Sequence, residues 1–325
     1  MKKIILILII MYCKNIYSQH PSLNPNWELI FEDNFNTLNR TNWNVIDGMQ
    51  SWEIPQWKVY YRDNSNNVYI NSGELNLDTR LENFNGQSMT SGRLVSTNSY
   101  GKGCYYEFRT KYDNKYEIYS SNPNDNKGFW PAIWMLGGSC PGNYQEIDFY
   151  DNQLKGQVYT VGYIYCDVNS NRSENGKYAP FNNFIFNENN FNINAGLWTK
   201  KTINYILNDQ IVYSSINNDA ISYPMQIRID QNCDVMNSSL YPIKHVIDYV
   251  RIWRLRKDCN TIVTIIPNFN TFTYGIKKSI TLSNSTTIPL NSNISLLATD
   301  YIELNNNFFI PNNTEIEFGT TDCDF

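Results

Sequence analysis

The sequence predicts an all-β protein, an antiparallel β-sandwich followed by a small C-terminal β-repeat module. Throughout residues 27–256, short runs rich in β-branched and aromatic residues alternate with turns of Asn, Asp, Gly and Ser. No stretch keeps a helical period over three turns. With 325 residues, 15% of them aromatic, the chain can bury a full core. We predict three parts: residues 1–18, 19–257 and 258–325.

The N-terminal residues 1–18 have the pattern of a signal peptide. Lys2 and Lys3 precede an apolar run that is too short to span a bilayer comfortably, and residues 16–18 make a plausible cleavage site. Cleavage leaves 23 basic and 31 acidic side chains, a formal net charge of −8. An acidic surface disfavours nucleic acid and anionic membranes as partners, whereas a neutral polysaccharide meets no such objection. We expect a secreted or cell-surface protein without a membrane span.

Two segments carry hairpin signals. Residues 67–77 and 203–213 each contain two alternating runs, separated by turn-forming residues at 71–73 and at 208–209. After Cys259 the composition shifts to Thr, Ser, Asn and Ile, without tryptophan. There, four short alternating runs predict the rungs of a small β-repeat. This module would bind a glycan or the cell surface, or pack on the preceding domain. Its runs are 280–282, 294–296, 301–304 and 315–318.

Six cysteines remain after cleavage, an even number that is compatible with disulfides in an exported chain. They allow fifteen pairings, and no Cys or His spacing suggests zinc. We expect Cys259 and Cys323 to close the last segment as a loop. The six are Cys104, Cys140, Cys166, Cys233, Cys259 and Cys323.

Residues 145–151 place three carboxylates in seven positions. On a β-strand, Glu146 and Asp148 would share one face, and the apolar residues between them would point to the other. Neighbouring like charges raise each other's pKa and cost free energy, so they indicate an active site more than a stabilising strand. Asp151 would join them if a β-bulge near residues 149–150 reset the alternation. Alternatively, the strand ends at Tyr150 and Asp151 opens a turn.

Two carboxylates about 5 to 5.5 Å apart across a scissile bond are what a retaining glycosidase needs. Residues 146–151, preceded by the aromatic run 129–136, resemble the active-site region of family 16 glycoside hydrolases, the laminarinase-like, endo-β-1,3-glucanase-related enzymes. That family carries Glu-x-Asp-x-x-Glu on a bulged strand, or Glu-x-Asp-x-Glu without the bulge. Further resemblances follow in the family's order: the opening strand at 27–35, the central hairpin at 91–94 and 105–109, and the closing strand at 246–253.

The resemblance implies a concanavalin-like jelly roll with a substrate cleft along one sheet. It makes Glu146 the nucleophile, Asp148 its hydrogen-bonding partner and Asp151 the acid/base. Two features depart from the family's pattern. Asp151 stands where the family has Glu, and the strand after it lacks the histidine that family members often have. His20 and His245 are the two histidines of the chain, and neither lies in a motif.

Substrate-binding candidates are Trp130, Trp134, Arg93 and, on a looser alignment, Trp57. Trp130 and Trp134 lie four apart and would share a strand face. Burial tendencies alone favour a core pair, whereas the resemblance favours stacking on sugar rings. Arg93 would bond sugar hydroxyls or pair with a cleft carboxylate, unless it is simply an exposed strand arginine.

Family members commonly hold a structural calcium ion away from the cleft. The matching positions are Asn34, Gly73 and Asp248. Calcium takes six to eight oxygen ligands, so three positions do not complete a site. Asp248 would otherwise be a charged strand residue that faces water.

We therefore expect a monomeric, exported, retaining endo-glycosidase that hydrolyses a β-linked polysaccharide, a β-1,3-glucan or a related glycan, without a catalytic cofactor. One alternative is a polysaccharide-binding protein on the same scaffold, with weak or no turnover because Asp151 is too short. Another is an adhesion or matrix protein in which the C-terminal module carries the function.

Overall fold

The computed structural model describes residues 20–49, 59–112, 129–138, 143–151, 158–166, 171–180, 190–217, 220–233, 241–265, 269, 272–284, 286–305 and 309–323. Apart from one 3-10 turn at Pro21–Leu23, the regular structure of these residues is β. In chain order the strands are β1 (Trp27–Asp33), β2 (Trp43–Val45), β3 (Val59–Tyr61), β4 (Val68–Asn71), β5 (Glu74–Thr79), β6 (Met89–Ser91), β7 (Arg93–Tyr100), β8 (Cys104–Tyr112), β9 (Phe129–Gly137), β10 (Gln145–Asp151), β11 (Val158–Cys166), β12 (Arg172–Pro180), β13 (Asn192–Trp198), β14 (Thr202–Leu207), β15 (Gln210–Ile216), β16 (Met225–Cys233), β17 (Ile243–Leu255), β18 (Lys257–Ile265), β19 (Ile276–Leu282), β20 (Asn293–Leu304) and β21 (Glu315–Thr320).

Two antiparallel sheets form the sandwich that the sequence predicts. Within the described residues, one sheet has eight strands in the order β15-β14-β13-β8-β17-β5-β4, with β1 paired to β17. The other has seven in the order β12-β11-β10-β9-β16-β7-β2. The sheets pack face to face: the Phe149 ring on β10 lies 5.2 Å from the Tyr106 ring and 5.5 Å from the Phe108 ring on β8. In both sheets, several neighbouring strands are far apart in the chain, as in a jelly roll. The predicted all-β sandwich is confirmed.

Both predicted hairpins are present, with turns whose chemistry explains them. Ser72 and Gly73 connect β4 to β5 with φ of 55° and 77°, and Asn208 and Asp209 connect β14 to β15 with φ of 46° and 63°. Positive φ at both central positions is typical of the two-residue turn that matches strand twist. Gly, Asn and Asp tolerate that backbone best.

The chain divides into two compact units. One comprises Leu29–Leu255 with Asp322–Phe325, and the other comprises Met1–Glu28 with Arg256–Thr321. The division after Leu255 lies two residues before the boundary that we predicted at 257. Within the second unit, Asn26 donates from Nδ2 to the carbonyl of Ser295 at 2.7 Å. Residues before β1 thus contribute to the C-terminal unit, which no composition signal indicated.

The C-terminal unit is a parallel sheet in the chain order β18-β19-β20-β21. Neighbouring strands are successive in the chain, as the predicted rungs require. The runs at 294–296 and 301–304, predicted as separate rungs, form the single strand β20. A separate apolar core supports the sheet, with these buried members: Ile265, Phe269, Ile280, Leu282, Ile288, Ile294, Leu296 and Ala298.

Three cysteines, Cys166, Cys259 and Cys323, are disulfide-bonded, whereas Cys104 and Cys233 are buried thiols. The pairing of Cys259 with Cys323 stays a prediction, and Cys140 lies outside the described residues. The predicted signal peptide, residues 1–18, also lies outside them. Among the described residues, no helix has the length and hydropathy needed to cross a bilayer.

Candidate active site

The predicted β-bulge is present in β10. Asp148 pairs with Trp134 on β9, the next pair is Tyr150 with Ile133, and the register shifts between them at Phe149. Ile147, Phe149 and Tyr150 are fully buried, so the two adjacent residues 149 and 150 both turn to the core. One extra residue resets the alternation, as the sequence predicted.

The bulge places Glu146, Asp148 and Asp151 on one side of the seven-stranded sheet, opposite the inter-sheet core. We call this side the carboxylate face. Glu146 and Asp151 are half-buried, and Asp148 is 8% exposed. Asp151 is the last residue of β10 and pairs with Ala132 on β9. The strand therefore does not end at Tyr150, as the alternative required.

Glu146 accepts a hydrogen bond from the Tyr144 hydroxyl at its Oε2 atom. The residues opposite Glu146 on the two neighbouring strands are apolar, Leu136 on β9 and Ile164 on β11. A donor to a carboxylate favours its ionised form, the form that a nucleophile requires. The sequence pattern did not single out Tyr144, because it lies just before the strand.

Asp148 lies between Trp134 on β9 and Gly162 on β11, and Gly162 pairs with Gly176 on β12. Next to Asp148, two successive strands therefore present no side chain. The charge of Asp148 also reaches the core. Burial raises the pKa of the Tyr205 hydroxyl far above its usual range, and the negative charge of Asp148 adds to this increase.

Asp151 accepts a hydrogen bond at Oδ1 from the indole Nε1 of Trp130. Trp130 is half-buried and lies on β9, two residues before Ala132. The Trp130 side chain therefore contacts the acid/base candidate directly, an arrangement that neither the core nor the sugar-stacking reading predicted. The bond fixes the direction of the short Asp151 side chain.

Trp134 lies on the carboxylate face among polar groups. Its ring is 7% exposed, and its Nε1 donates to Asp230 Oδ2 at 3.0 Å. The guanidinium carbons of Arg228 and Arg93 lie 5.0 and 5.8 Å from its ring centroid, within the range of cation–π contacts. Trp134 is thus neither an inter-sheet core residue nor a fully open stacking platform.

Arg93 pairs with a buried carboxylate, one of its two predicted roles. Its Nε donates to Asp230 Oδ2 at 2.8 Å and its Nη2 to the Tyr61 hydroxyl at 2.7 Å. Both side chains of the Arg93–Asp230 pair are at most 1% exposed. Tyr61 in turn donates to Asn232 Oδ1. Arg93 is therefore not an exposed strand arginine, and it orders the face beside Trp134.

Strand β16 contributes residues that the sequence analysis missed. Arg228, Asp230 and Asn232 pair with Trp134, Ala132 and Trp130 on β9, so they lie on the carboxylate face. The signal was present: between residues 226 and 230, polar residues alternate with Ile227 and Ile229. That period of two predicts one polar and one apolar face.

His245 lies beneath this network. It is fully buried on β17, and its Nδ1 lies 3.0 Å from the carbonyl oxygen of Asp230. Burial lowers its pKa to about 3 despite that backbone bond. A neutral imidazole at neutral pH is the consequence, which makes His245 a structural group and not a surface base.

The three calcium positions come from neighbouring parts of the eight-stranded sheet. Asn36, two residues after Asn34, has its Oδ1 3.7 Å from where a Cβ on Gly73 would lie. Asp248 lies at a register shift in β17, just after the Ile247–Leu75 pair, and forms an ion pair with Arg109. One carboxylate already paired with a guanidinium and two backbone positions fall short of six oxygens. No group of three His, Cys, Asp or Glu side chains in the described regions could hold a metal ion. Calcium stays a prediction.

Trp57, the fourth substrate-binding candidate, lies outside the described residues. The structure thus gathers Glu146, Asp148, Asp151, Trp130, Trp134 and Arg93 on the carboxylate face. Carboxylates at both ends of a three-acid row, one bonded to a phenol and one to an indole, can serve as a nucleophile and a proton carrier.

Comparisons with known proteins identify a family and several relatives. Residues 55–239 match the family described as "Glycosyl hydrolases family 16". A beta-glucanase from Rhodothermus marinus is 24% identical over 282 residues, which cover 77% of this chain and 93% of that protein. The laminarinase structure from the same organism matches with a TM-score of 0.56 and 22% identity, over 70% of this chain and 97% of its own.

Two further structures share the fold. LamAcat from Zobellia galactanivorans matches with a TM-score of 0.59 and 20% identity, over 72% of this chain and all of its own. A structure from work on endo-acting O-glycanases of the human gut microbiota, which initiate mucin breakdown, matches with a TM-score of 0.59 and 21% identity. It covers 71% of this chain and 91% of its own.

Proposed function

The chain belongs to glycosyl hydrolases family 16 and is a glycoside hydrolase, and we propose that it is an exported, retaining endo-enzyme that cleaves a β-linked glucan. The observation that carries the mechanism is the bulge in β10, which puts Asp151 on the same face as Glu146 and Asp148. The beta-glucanase and laminarinase among its relatives support a β-1,3-glucan or mixed-linkage glucan as the substrate.

In the proposed mechanism, Glu146 attacks the anomeric carbon while Asp151 protonates the departing oxygen. A covalent glycosyl-enzyme forms, and Asp151 then takes a proton from the water that hydrolyses it. Asp148, between them on the strand, orients Glu146 and tunes its charge. Trp134 and the Arg93–Asp230 pair shape the floor on which the sugar chain lies.

The mechanism is tested with Glu146→Gln, which keeps the shape of the side chain but removes the nucleophile. We expect hydrolysis of the best glucan to fall at least about 1,000-fold. Glu32→Gln is the matched control, since Glu32 bonds Arg251 through an ion pair on the other sheet. Equal activity of Glu146→Gln and wild type would overturn the assignment of the nucleophile.

The substrate is tested by product analysis on laminarin, mixed-linkage β-glucan, sulfated galactans and mucin O-glycans. We expect oligosaccharides of several lengths from β-1,3-glucan, with retained anomeric configuration by NMR. Mucin is included because of the fold shared with the structure from the mucin O-glycanase work. Release from mucin alone would move the substrate class from glucan to O-glycan.

Export and calcium are further parts of the proposal. Residues 1–18 would direct secretion, and sequencing the N-terminus of protein from the medium would find the chain starting after Ser18.

Bound calcium would raise the thermal unfolding midpoint of wild type and leave that of Asp248→Asn unchanged. An identical midpoint of wild type with calcium and with EDTA would exclude a structural calcium ion.

A polysaccharide-binding protein without turnover is the competing proposal. It is favoured by the shorter side chain of Asp151 and by the indole bond that holds it. A cleft that binds laminarin but releases no product, even after prolonged incubation, would support it.

A further inference from the structure

Tyr144 and Glu146 are linked by a hydrogen bond between the phenol and the Oε2 atom of the carboxylate. Tyr144 lies two residues before Glu146, and its own backbone is fixed. Its carbonyl accepts the amide of Cys166 at 3.0 Å, and Cys166 is disulfide-bonded at the end of β11. The phenol is therefore carried by an anchored segment, not by a free loop.

The surroundings of Glu146 make this hydrogen bond important. The residues opposite Glu146 on β9 and β11, Leu136 and Ile164, have apolar side chains. Tyr144 itself is half-buried, so its hydroxyl is partly shielded from water. A hydrogen bond to a charged group in such surroundings is stronger than a neutral one in water.

We propose that Tyr144 is a positioning residue that acts through Glu146 and speeds the second half of the reaction. The inference rests on the proposed function. In the first step, Oε1 of Glu146 bonds to the anomeric carbon, the glycosidic bond breaks, and the leaving oxygen takes the proton of Asp151. In the second, water bonds to that carbon, Asp151 takes a proton from it, and the electron pair of the ester bond returns to Glu146. Tyr144 keeps its proton throughout.

The charge on Glu146 explains the unequal effect on the two steps. Its carboxylate loses negative charge as the covalent intermediate forms and regains it as the intermediate breaks down. A donor at Oε2 stabilises the charged form. It therefore lowers the barrier of breakdown, in which charge develops, and gives no such help to formation.

The test is Tyr144→Phe, assayed with a 2,4-dinitrophenyl β-oligoglucoside, whose good leaving group makes formation of the intermediate fast. We expect kcat to fall about 10-fold or more, the scale of one charge-assisted hydrogen bond. KM should fall in parallel, so that kcat/KM stays within about 3-fold of wild type. A pre-steady-state burst of dinitrophenolate should appear in wild type and variant alike, because breakdown limits turnover of this substrate. In Tyr144→Phe, the steady-state rate after the burst should be about 10-fold lower, because the covalent intermediate breaks down more slowly.

Tyr165→Phe is the matched control. Tyr165 lies opposite Gln145 on β11, one position away from the Glu146 row, and its ring contacts Tyr163 at 6.3 Å. This variant should keep wild-type kcat and the wild-type steady-state rate after the burst. Both variants should unfold within about 4 °C of wild type, so that a folding defect is detected separately.

The outcomes separate this inference from the proposed function. If Glu146→Gln loses activity but Tyr144→Phe equals wild type, Tyr144 has no such role and the mechanism stands. If Tyr144→Phe lowers kcat and kcat/KM equally without a burst, its effect is not on breakdown, and the inference is wrong. If wild type turns over no glycoside on the panel, the proposed function fails and the inference falls with it.

Discussion

In the proposed mechanism, Asp151 is the residue on which turnover depends most directly. Its side chain is one C–C bond shorter than glutamate, and proton transfer needs donor and acceptor within about 2.6 to 3.2 Å. The Trp130 indole aims the carboxylate, so its position does not depend on reach alone. The bulge and the indole together would position the short carboxyl group, where a regular strand would need a longer side chain.

Variants of Asp151 separate an enzyme from a binding protein. We expect Asp151→Asn to lower kcat by about 100- to 10,000-fold on unactivated glucan, since it removes the proton carrier. Asp151→Glu should change kcat by less than about 10-fold if the natural residue is already positioned. A gain of several orders of magnitude in initial rate with Asp151→Glu would show that the natural site is catalytically impaired.

His245 makes stability depend on pH. Its pKa is about 3 in the folded protein because of burial, below its ordinary value near 6.5. Between these values the unfolded chain binds a proton that the folded chain refuses, so stability is full above pH 6.5 and declines as the pH falls towards 3. From pH 7 to 5 the free energy of unfolding should drop by about 2 kcal/mol from this group.

Denaturant titration of wild type and His245→Asn at pH 7, 6 and 5 measures this contribution. The slope should be smaller in His245→Asn, whatever its absolute stability. His20→Asn is the control, since His20 lies near the N-terminus beside Ser22 and is not enclosed by the core. Parallel pH profiles for wild type and His245→Asn would contradict the prediction.

The sequence alone could not predict that Arg93, Trp134 and Asp230 form one hydrogen-bonded network. The sequence offered Arg93 and Trp134 as separate candidates, whereas the structure joins both to Asp230 Oδ2. Arg93 and Asp230 are 137 positions apart in the chain, and their contact depends on β7 and β16 being neighbours. Strand order is set by long-range packing, which a local pattern does not encode.

At the scale of the element, β10 shows what a local pattern does encode. Carboxylates at 146, 148 and 151 with apolar residues at 147, 149 and 150 fit a strand with one extra residue. The hairpin turns could also be predicted from a few adjacent residues, because Asn, Asp and Gly adopt positive φ at low cost. The division of β20 was predicted wrongly because polar residues between two apolar runs also occur within an exposed strand.

The Phe149 ring at the bulge packs against a glycine in the opposite sheet. A Cβ on Gly196 of β13 would lie 2.2 Å from Cε1 of Phe149, the residue at the bulge. Gly196→Ala should therefore displace Phe149, cost about 1–3 kcal/mol of stability and reduce hydrolysis beyond what unfolding explains. Far-UV circular dichroism during thermal unfolding, together with the rate on laminarin, measures both effects.

Gly101→Ala is the control for this substitution. A Cβ at Gly101 would meet Pro224 at 3.6 Å, an ordinary van der Waals distance. That variant should keep the stability and the activity of wild type. If Gly196→Ala behaves like Gly101→Ala, the contact with Phe149 is not what holds the bulge.

At the scale of the whole molecule, the chain contains two units, each with a core of its own. The carboxylate face belongs to Leu29–Leu255, and the parallel sheet β18–β21 contributes none of its residues. Deleting 259–325 should therefore leave the rate on soluble oligoglucosides within about 3-fold of wild type, provided that the shortened chain folds. Retention on insoluble glucan, measured by pull-down, should fall if the module binds glycan.

Equal retention with and without residues 259–325 would leave the module a packing role and exclude it as an adhesion device. Loss of hydrolysis in a chain that still shows the β-sheet circular dichroism spectrum would contradict the independence of the two units.

The burial of the Arg93–Asp230 pair predicts that this part of the carboxylate face is insensitive to salt. Mobile ions shorten the range of electrostatic forces from about 10 Å at 0.1 M salt to about 3 Å at 1 M, but they act through solvent. An exposed pair such as Arg40–Asp63 weakens under those conditions. Arg93 and Asp230 are at most 1% exposed, so dissolved ions screen their attraction much less. We therefore expect the carboxylate face around Trp134 to keep its shape, and the proposed hydrolysis to keep its rate, between about 0.1 M and 1 M salt.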